Sequence, residues 1–567
     1  MKKLYIFTLL LIPSLILSQT AFTSGITPDL SAYGEATNYP GEGEYQIFLD
    51  TDNGILDKPI IFVDGFDPGD SRDIASLYSS LSFTGTSGTQ NLADLVRAQG
   101  FDVIILNFPV YLRAADGTTI DGGADFIERN AMLLVELLDI INTAKATNSP
   151  EQNVIIGPSM GGIISRYALN YMEANTIDAD TRLYLSFDSP HLGANVPIGL
   201  QHQLNYLAFN SLSPSVEIQP LIDGFLKSSA ARQLLIDHFE PHLLAGSMVE
   251  FDPAITLPTP HPFRTILESS INSFTVNGFP QNTRNVSIIN GSGIGNPYFA
   301  ADGTTPITNG FTIVDTTIPV DTGVIGTVNV DVEIFMTPAA GAPQQVSRFF
   351  APLFPPVFPN VESIANSGTT NFDGVDAAPG GLFDLSELTS GIATGGPADD
   401  FLNALQIDKF NFIPSVSALA LEITDEASGD DVDWFHSINL AGRATTNVTP
   451  FDNTFLPDDN EGHVELTEDN VNFALSEILT PPLGIPDNNV ITFKVEKNPI
   501  NDELVLLSDT NTNATISIVD ITGKVVSSTS IMLNDRTVIP INLASGFYIL
   551  NVITENNLTF TTKILAN

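Results

Sequence analysis

The chain of 567 residues contains no cysteine. Disulfides and acylation on a lipobox cysteine are therefore excluded, and stability must come from packing. Positive charge is also scarce, with 22 Lys plus Arg against 66 Asp plus Glu and a net charge of -44. Such a field repels nucleic acid and anionic membrane surfaces and suits the solubility of an extracellular protein. No nucleic-acid partner is expected. Long apolar runs are missing as well: the single candidate, Leu4 to Leu17, is shorter than the roughly 20 residues a spanning helix needs. It follows Lys2-Lys3 and precedes Ser18-Gln19, the order of a signal peptide over residues 1–18. Export is expected, with no transmembrane anchor once that segment is removed. The chain also lacks a His-Glu-x-x-His pattern, and Pro241 interrupts the pair His238 and His242. No metal and no cofactor are expected at the site.

What is present reads as several units, two to four at about 150 residues each. Residues 19–54 form a lead-in with one strand, Tyr45 to Leu49. Apolar runs at Pro59 to Val63 and Asp102 to Asn107 flank a helical pattern from Leu92 to Gln99. An amphipathic stretch from Ala124 to Ala144 precedes the run Val154-Ile155-Ile156, and Arg182 to Phe187 supplies a further strand. The alternation predicts an α/β fold, a mostly parallel sheet with helices on both faces, over residues 55–480. Residues 197–270 read as a helical cap, with helices at Leu200 to Leu207 and Ala230 to Phe239. Asn285 to Ile289 reads as the next core strand. A β insertion occupies 300–400, with antiparallel strands from Phe311 to Met336 and Pro-, Gly- and Ala-rich loop from 337 to 400. Pro481-Pro482 opens a linker over 481–490, and short strands from 491 to 567, with turns at Asn498-Pro499, Thr522-Gly523 and Ser545-Gly546, predict a small all-β sandwich.

The chemistry centres on Gly157-Pro158-Ser159-Met160-Gly161, a Gly-x-Ser-x-Gly turn between a β-branched strand and the helical run Ile163 to Leu169. In that setting the serine stands exposed at the sheet edge as a nucleophile. A serine hydroxyl needs an imidazole to take its proton and a carboxylate to fix the imidazole tautomer. Of the late histidines, His463 lies in the polar segment Asp458 to His463 before a helix at Leu466 to Leu479. His436 follows Asp433-Trp434 with no clear core strand ahead of it, and His463 is preferred. For the acid, Asp188 directly follows the strand Arg182 to Phe187, whereas Asp376 obeys the usual chain order; both stay open, with Asp373 and Asp408 behind them. The oxyanion donors are expected at the N–H groups of Met160 and Phe66. Asp64, Asp67, Asp70 and Asp73 recur every three residues and read as a solvated loop.

Gly157-Pro158-Ser159-Met160-Gly161-Gly162, Ser189-Pro190-His191-Leu192-Gly193 and the late His463 together resemble the α/β-hydrolase superfamily, nearest its lipase and PGAP1-like esterase branches. The resemblance implies that His191 shapes the pocket wall and is not the base; Asp64 departs from the histidine frequent before the oxyanion-loop glycine. Residues 491–567 resemble the type A C-terminal sorting domain of the Bacteroidetes type IX secretion system, through Asn498-Pro499, Ile518 to Gly523, Ser545-Gly546-Phe547-Tyr548 and Lys563. That implies passage through the secretion machinery to a secreted or surface-attached state. Ile564 to Asn567 depart from the lysine-rich end often seen. The function expected is a secreted serine hydrolase of hydrophobic or polymeric carboxylic esters. An amidase or peptidase on the same fold and a non-catalytic surface binding protein are the alternatives.

Overall fold

The computed structural model describes residues 19–211, 214–321, 326–353, 359–386, 397–421, 432–438, 449–479, 493–508, 511–520, 524–554 and 559–566. The signal peptide, the 481–490 linker and the Thr522-Gly523 turn expected from sequence lie outside these residues. The chain divides into two compact units, Met1–Thr480 and Pro481–Asn567.

The first unit is built on an eight-stranded sheet. Its spatial order is Thr20–Thr23, Glu42–Phe48, Asp102–Asn107, Pro59–Val63, Asn153–Pro158, Thr181–Phe187, Arg284–Ile288 and Asn453–Phe455. The first two pairings are antiparallel and the remaining five are parallel. Pro59–Val63 and Asp102–Asn107 are buried at every position, as strands covered on both faces must be. Alternate side chains serve opposite faces. Ile61, Val63, Ile104 and Ile155 pack under the helices Ile127–Lys145 and Met160–Ala174. Ile60, Phe62, Val103 and Ile156 face the layer that includes Leu92–Arg97 and Glu468–Leu479.

Two sequence expectations need correction. The stretch from 337 onward is not simply loop. Gln344–Ala351 and Val361–Ser367 join Thr312–Asp321 and Thr327–Phe335 in a four-stranded antiparallel sheet. Its inward positions include Ser347, Ser363, Ala365 and Ser367, so the alternation carries little hydrophobic signal. Buried His202 accounts for two of those serines, with Nδ1 2.9 Å from Ser347 Oγ and Nε2 3.2 Å from Ser363 Oγ. His202 belongs to the helix Ile198–Phe209, which shares one core with this sheet, so cap and insertion form one layer. The expected helix Ala230 to Phe239 is likewise two pieces, Ser229–Leu234 and Phe239–His242. Leu235 between them leaves the helix to form a parallel bridge with Ala194.

The second unit contains a three-stranded and a four-stranded sheet. The strands Thr512–Asp520 and Arg536–Pro540 alternate buried and exposed, turning Ile516, Ile518 and Ile539 into an apolar core with Leu504, Leu550 and Ile564. Asn498 ties the last strand down: its Nδ2 donates to Lys563 O (3.0 Å) and its Oδ1 accepts from Leu565 N (2.8 Å).

Candidate active site

The strand Asn153–Pro158 ends at Ser159, whose backbone adopts φ 52° and ψ −130°, a region costly for any residue with a Cβ. The surroundings enforce it. Ser159 N–H donates to Phe187 O (2.9 Å), and the helix starts at once with Met160. Glycines remove the obstructing atoms: a Cβ on Gly157 would sit 2.6 Å from Gly161 O, and one on Gly162 would sit 2.0 Å from Ser189 Oγ.

Asp188 follows the neighbouring strand Thr181–Phe187 and is fully buried. Its N–H donates to Ile288 O (2.7 Å), and its Oδ1 accepts from Asn290 N (3.1 Å). Asp188 Oδ2 lies 2.7 Å from His463 Nδ1, and His463 Nε2 lies 2.8 Å from Ser159 Oγ. With the carboxylate accepting, Nδ1 carries the proton and Nε2 is free to accept the serine hydroxyl. His463 sits on the loop after the last core strand, Asn453–Phe455; its N–H donates to Leu382 O (2.8 Å), and the Phe412 ring meets the imidazole edge-on at 5.0 Å.

The other acids named from sequence lie elsewhere. Asp376 is buried with Oδ1 accepting from Asn195 Nδ2 (3.0 Å) and Oδ2 from Thr337 N (2.8 Å). Asp373 accepts from Ala340 N and Asn309 Nδ2, and Asp408 is exposed. His436 Nδ1 is 3.5 Å from Asp433 Oδ2. His191 lines none of the described cavities: it is a core residue between Phe279 and Phe451, with Nε2 2.8 Å from Ser186 Oγ, and burial holds its pKa well below the usual imidazole value.

Met160 N–H and Phe66 N–H have no acceptor among the described residues, and both residues flank Ser159. A Cβ on Gly65 would come 3.2 Å from Ser159 Cβ, so the loop Asp64 to Phe66 lies directly against the serine. The solvated loop expected over Asp64 to Asp73 is found only in its second part, where Asp70 is half-buried and Asp73 is exposed and caps the helix Ile74–Ser80. Asp64 and Asp67 are buried and turn inward onto Arg72: Arg72 Nη2 donates to Asp64 Oδ1 (3.1 Å) and Phe66 O (3.0 Å), and Arg72 N to Asp67 Oδ2 (2.9 Å). The sequence signal was Arg72 itself, a rare cation inside an acidic segment.

Burial pushes the Asp64 carboxyl up to about 7, Arg72 opposing the shift. The folded value exceeds the unfolded one, so the stability that neutral Asp64 contributes is fully present below about 4 and is lost as pH rises through about 7. Asp64→Asn should therefore gain stability relative to the native chain between pH 5 and pH 8, on the order of 3 kcal/mol at the upper end. Denaturant midpoints of both proteins at the two pH values check this; a difference that does not grow with pH contradicts it.

Three further residues escaped the sequence reading. Glu461 accepts from Asn290 Nδ2 at 2.8 Å, and burial, with Glu465 and Asp188 adding to it, pushes its carboxyl up to about 7. Asn290 thereby bridges Glu461 and Asp188. A Cβ on Gly381 would sit 2.0 Å from Asp188 Oδ2, so only glycine fits over the acid. The Gly380-Gly381 pair was the available signal. Separately, carboxylate oxygens of Asp50, Asp57 and Asp102 converge within 4.8 Å, but those of Asp50 and Asp102 are occupied by backbone N–H donors.

Ser159 and His463 open into a cavity of about 380 Å³ that runs along the sheet face, walled by Phe62, Leu81, Leu92, Phe187 and Ile288 among others. On its other side Ser159 borders a small apolar recess under Phe225, whose ring meets Phe66 edge-on at 4.9 Å.

The parallel sheet, the strained serine turn and the loop histidine define an α/β hydrolase. Residues 55–216 match the family model of the PGAP1-like alpha/beta domain, and residues 498–567 match that of the secretion system C-terminal sorting domain. The chain thus carries a PGAP1-like α/β-hydrolase domain and a type IX sorting domain, which points to export to a secreted or cell-surface state. No curated protein matches the sequence. Solved structures similar to it include an α/β serine hydrolase without lid from Xanthomonas campestris (11% identity, 30% of this chain and 62% of that one, TM-score 0.20). Others are Est1E from Butyrivibrio proteoclasticus (9%, 47% and 77%, 0.22) and the lipase BlEst2 from Bacillus licheniformis in propeptide form (10%, 93% and 97%, 0.27). The match spans less than two thirds of the Xanthomonas protein. Among the described residues no helix is long and apolar enough to cross a membrane.

Proposed function

We propose that this protein is a secreted serine hydrolase that cleaves carboxylic esters through an acyl-enzyme on Ser159, with His463 as base and Asp188 as its orienting acid. The observation that carries this reading is the pair of contacts on one imidazole, 2.8 Å to Ser159 Oγ and 2.7 Å to Asp188 Oδ2. Ser159 Oγ attacks the ester carbonyl as His463 Nε2 takes its proton. The oxyanion then accepts from the N–H groups of Met160 and Phe66. His463 returns the proton to the leaving alcohol, and a water repeats the sequence to release the acid. The apolar wall of the cavity beside Ser159, Phe62, Leu81, Leu92, Phe187 and Ile288, suits a hydrophobic acyl chain, while Asp64, Arg72, Asp384 and Lys409 also line it. Outside, the net charge of -44 disfavours anionic interfaces unless cations screen them.

Intact-mass analysis after treatment with a fluorophosphonate should find one adduct on the native protein and none on Ser159→Ala. An adduct on both, or on neither while the protein is folded, would refute an activated Ser159. A labelled serine with turnover confined to peptides or amides would retain the nucleophile and reject the ester specificity.

A further inference from the structure

Asn290 is fully buried just past the end of the strand Arg284–Ile288, and its hydrogen bonds reach both partners of Ser159. Its backbone N–H donates to Asp188 Oδ1 (3.1 Å). Its other bonds go to the loop that carries His463. The Asn290 carbonyl accepts from Glu461 N (2.8 Å), and Nδ2 donates to Glu461 Oε2 (2.8 Å) and Glu465 O (2.9 Å). One side chain therefore grips the loop two residues before the histidine and two residues after it.

The orientation of that amide follows from its surroundings. Both atoms facing it are oxygens, so only its NH2 end can meet them. The consequence is an Oδ1 that is buried without a partner among the described residues. Packing alone does not call for such a group, because an apolar side chain of similar volume would leave no buried acceptor unpaired. On its opposite side the loop is held by the strand Gly380–Asp384: Leu382 N donates to Glu461 O (3.0 Å), and Leu382 O accepts from His463 N (2.8 Å).

We propose that the Asn290 side chain is a positioning residue for the base, fixing His463 against Asp188 by tying the histidine loop to the residue whose N–H holds the acid. The inference rests on the triad reading given under Proposed function. Asn290 acts through Glu461 and Glu465 and not on the imidazole directly. A catalytic group misplaced by about 1 Å can cost on the order of 100-fold in rate, so loosening this loop should be felt in turnover. Substrate binding should be spared, since neither Asn290, Glu461 nor Glu465 lines the cavity at Ser159.

Asn290→Ala removes Nδ2 and keeps the backbone N–H on Asp188, so any loss arises at the base. Its kcat on a short-chain ester should fall roughly tenfold or more, with KM unchanged. Glu461 is only half-buried, and Glu461→Ala, which removes one of the two anchors without opening the core, should lower kcat by a smaller factor. Glu461→Gln keeps an acceptor for Nδ2 and should recover most of that loss. Rates are counted per serine labelled by a fluorophosphonate, so that unfolded protein does not contribute. Native kcat in Asn290→Ala or in Glu461→Ala, equal losses in Glu461→Ala and Glu461→Gln, or a change confined to KM overturns the proposal. If Asn290→Ala does not fold, the two Glu461 variants decide alone. A native protein that takes no label refutes the activated Ser159 instead, so the two readings fail separately.

Discussion

Asp188→Asn should lower kcat for ester hydrolysis by about 10⁴-fold, with KM little changed. The fall follows from the contacts on His463. The Asp188 carboxylate accepts a hydrogen bond from Nδ1–H, which leaves Nε2 as the acceptor facing Ser159 Oγ. An asparagine amide in the same place can donate to Nδ1, stabilising the tautomer whose Nε2 carries the proton and no longer takes one from serine. The fold should survive, since Asn290 N–H still finds an oxygen and no volume changes. Asp376→Asn should keep kcat nearly unchanged, because Asp376 meets Asn195 and Thr337 and has no contact with His463. Initial rates on a short-chain ester for both variants decide the matter. Full activity in Asp188→Asn, or a collapse confined to Asp376→Asn, would reverse the assignment of the acid.

The second large effect concerns folding. An alanine methyl at position 161 would lie 2.2 Å from Val63 O and 2.8 Å from Asp64 O, both backbone atoms at the end of the buried strand Pro59–Val63. Neither can rotate away, so the helix Met160–Ala174 must lift off the sheet or the loop Asp64 to Phe66 must move. A clash of this kind belongs with the overpacking changes at the far end of the mutational range, and Gly161→Ala should lose more than about 4 kcal/mol or fail to accumulate as folded protein. Gly224→Ala provides the contrast, since nothing lies within 4 Å of the added carbon and alanine is the better helix former. Guanidinium unfolding of the purified proteins tests the pair. A wild-type midpoint for Gly161→Ala would mean that the strand and helix are not packed as closely as described.

Sequence alone determined the parallel core and the serine turn, because both rest on local pattern. Strands buried on both faces are continuous apolar runs, and a strand-to-helix turn that brings a serine forward must have glycine where the backbone nearly touches. The sorting domain was equally legible, its strands being short, alternating and punctuated by turn residues. His463 could be nominated by its place after the last core strand. The proposed acid could not, since Asp188 directly follows an apolar strand whereas Asp376 obeys the usual chain order in a segment without a strand pattern. The tertiary structure gives them different surroundings, bringing a loop 275 residues away in sequence onto Asp188 and burying Asp376 against Asn195. The loop's own fold turned the aspartates of 64 and 67 inward onto Arg72, and long-range packing built a sheet in which buried Ser347 and Ser363 pair with His202. In each of these cases a polar side chain is buried because a specific polar partner satisfies it, and a linear pattern of hydrophobicity does not encode that pairing.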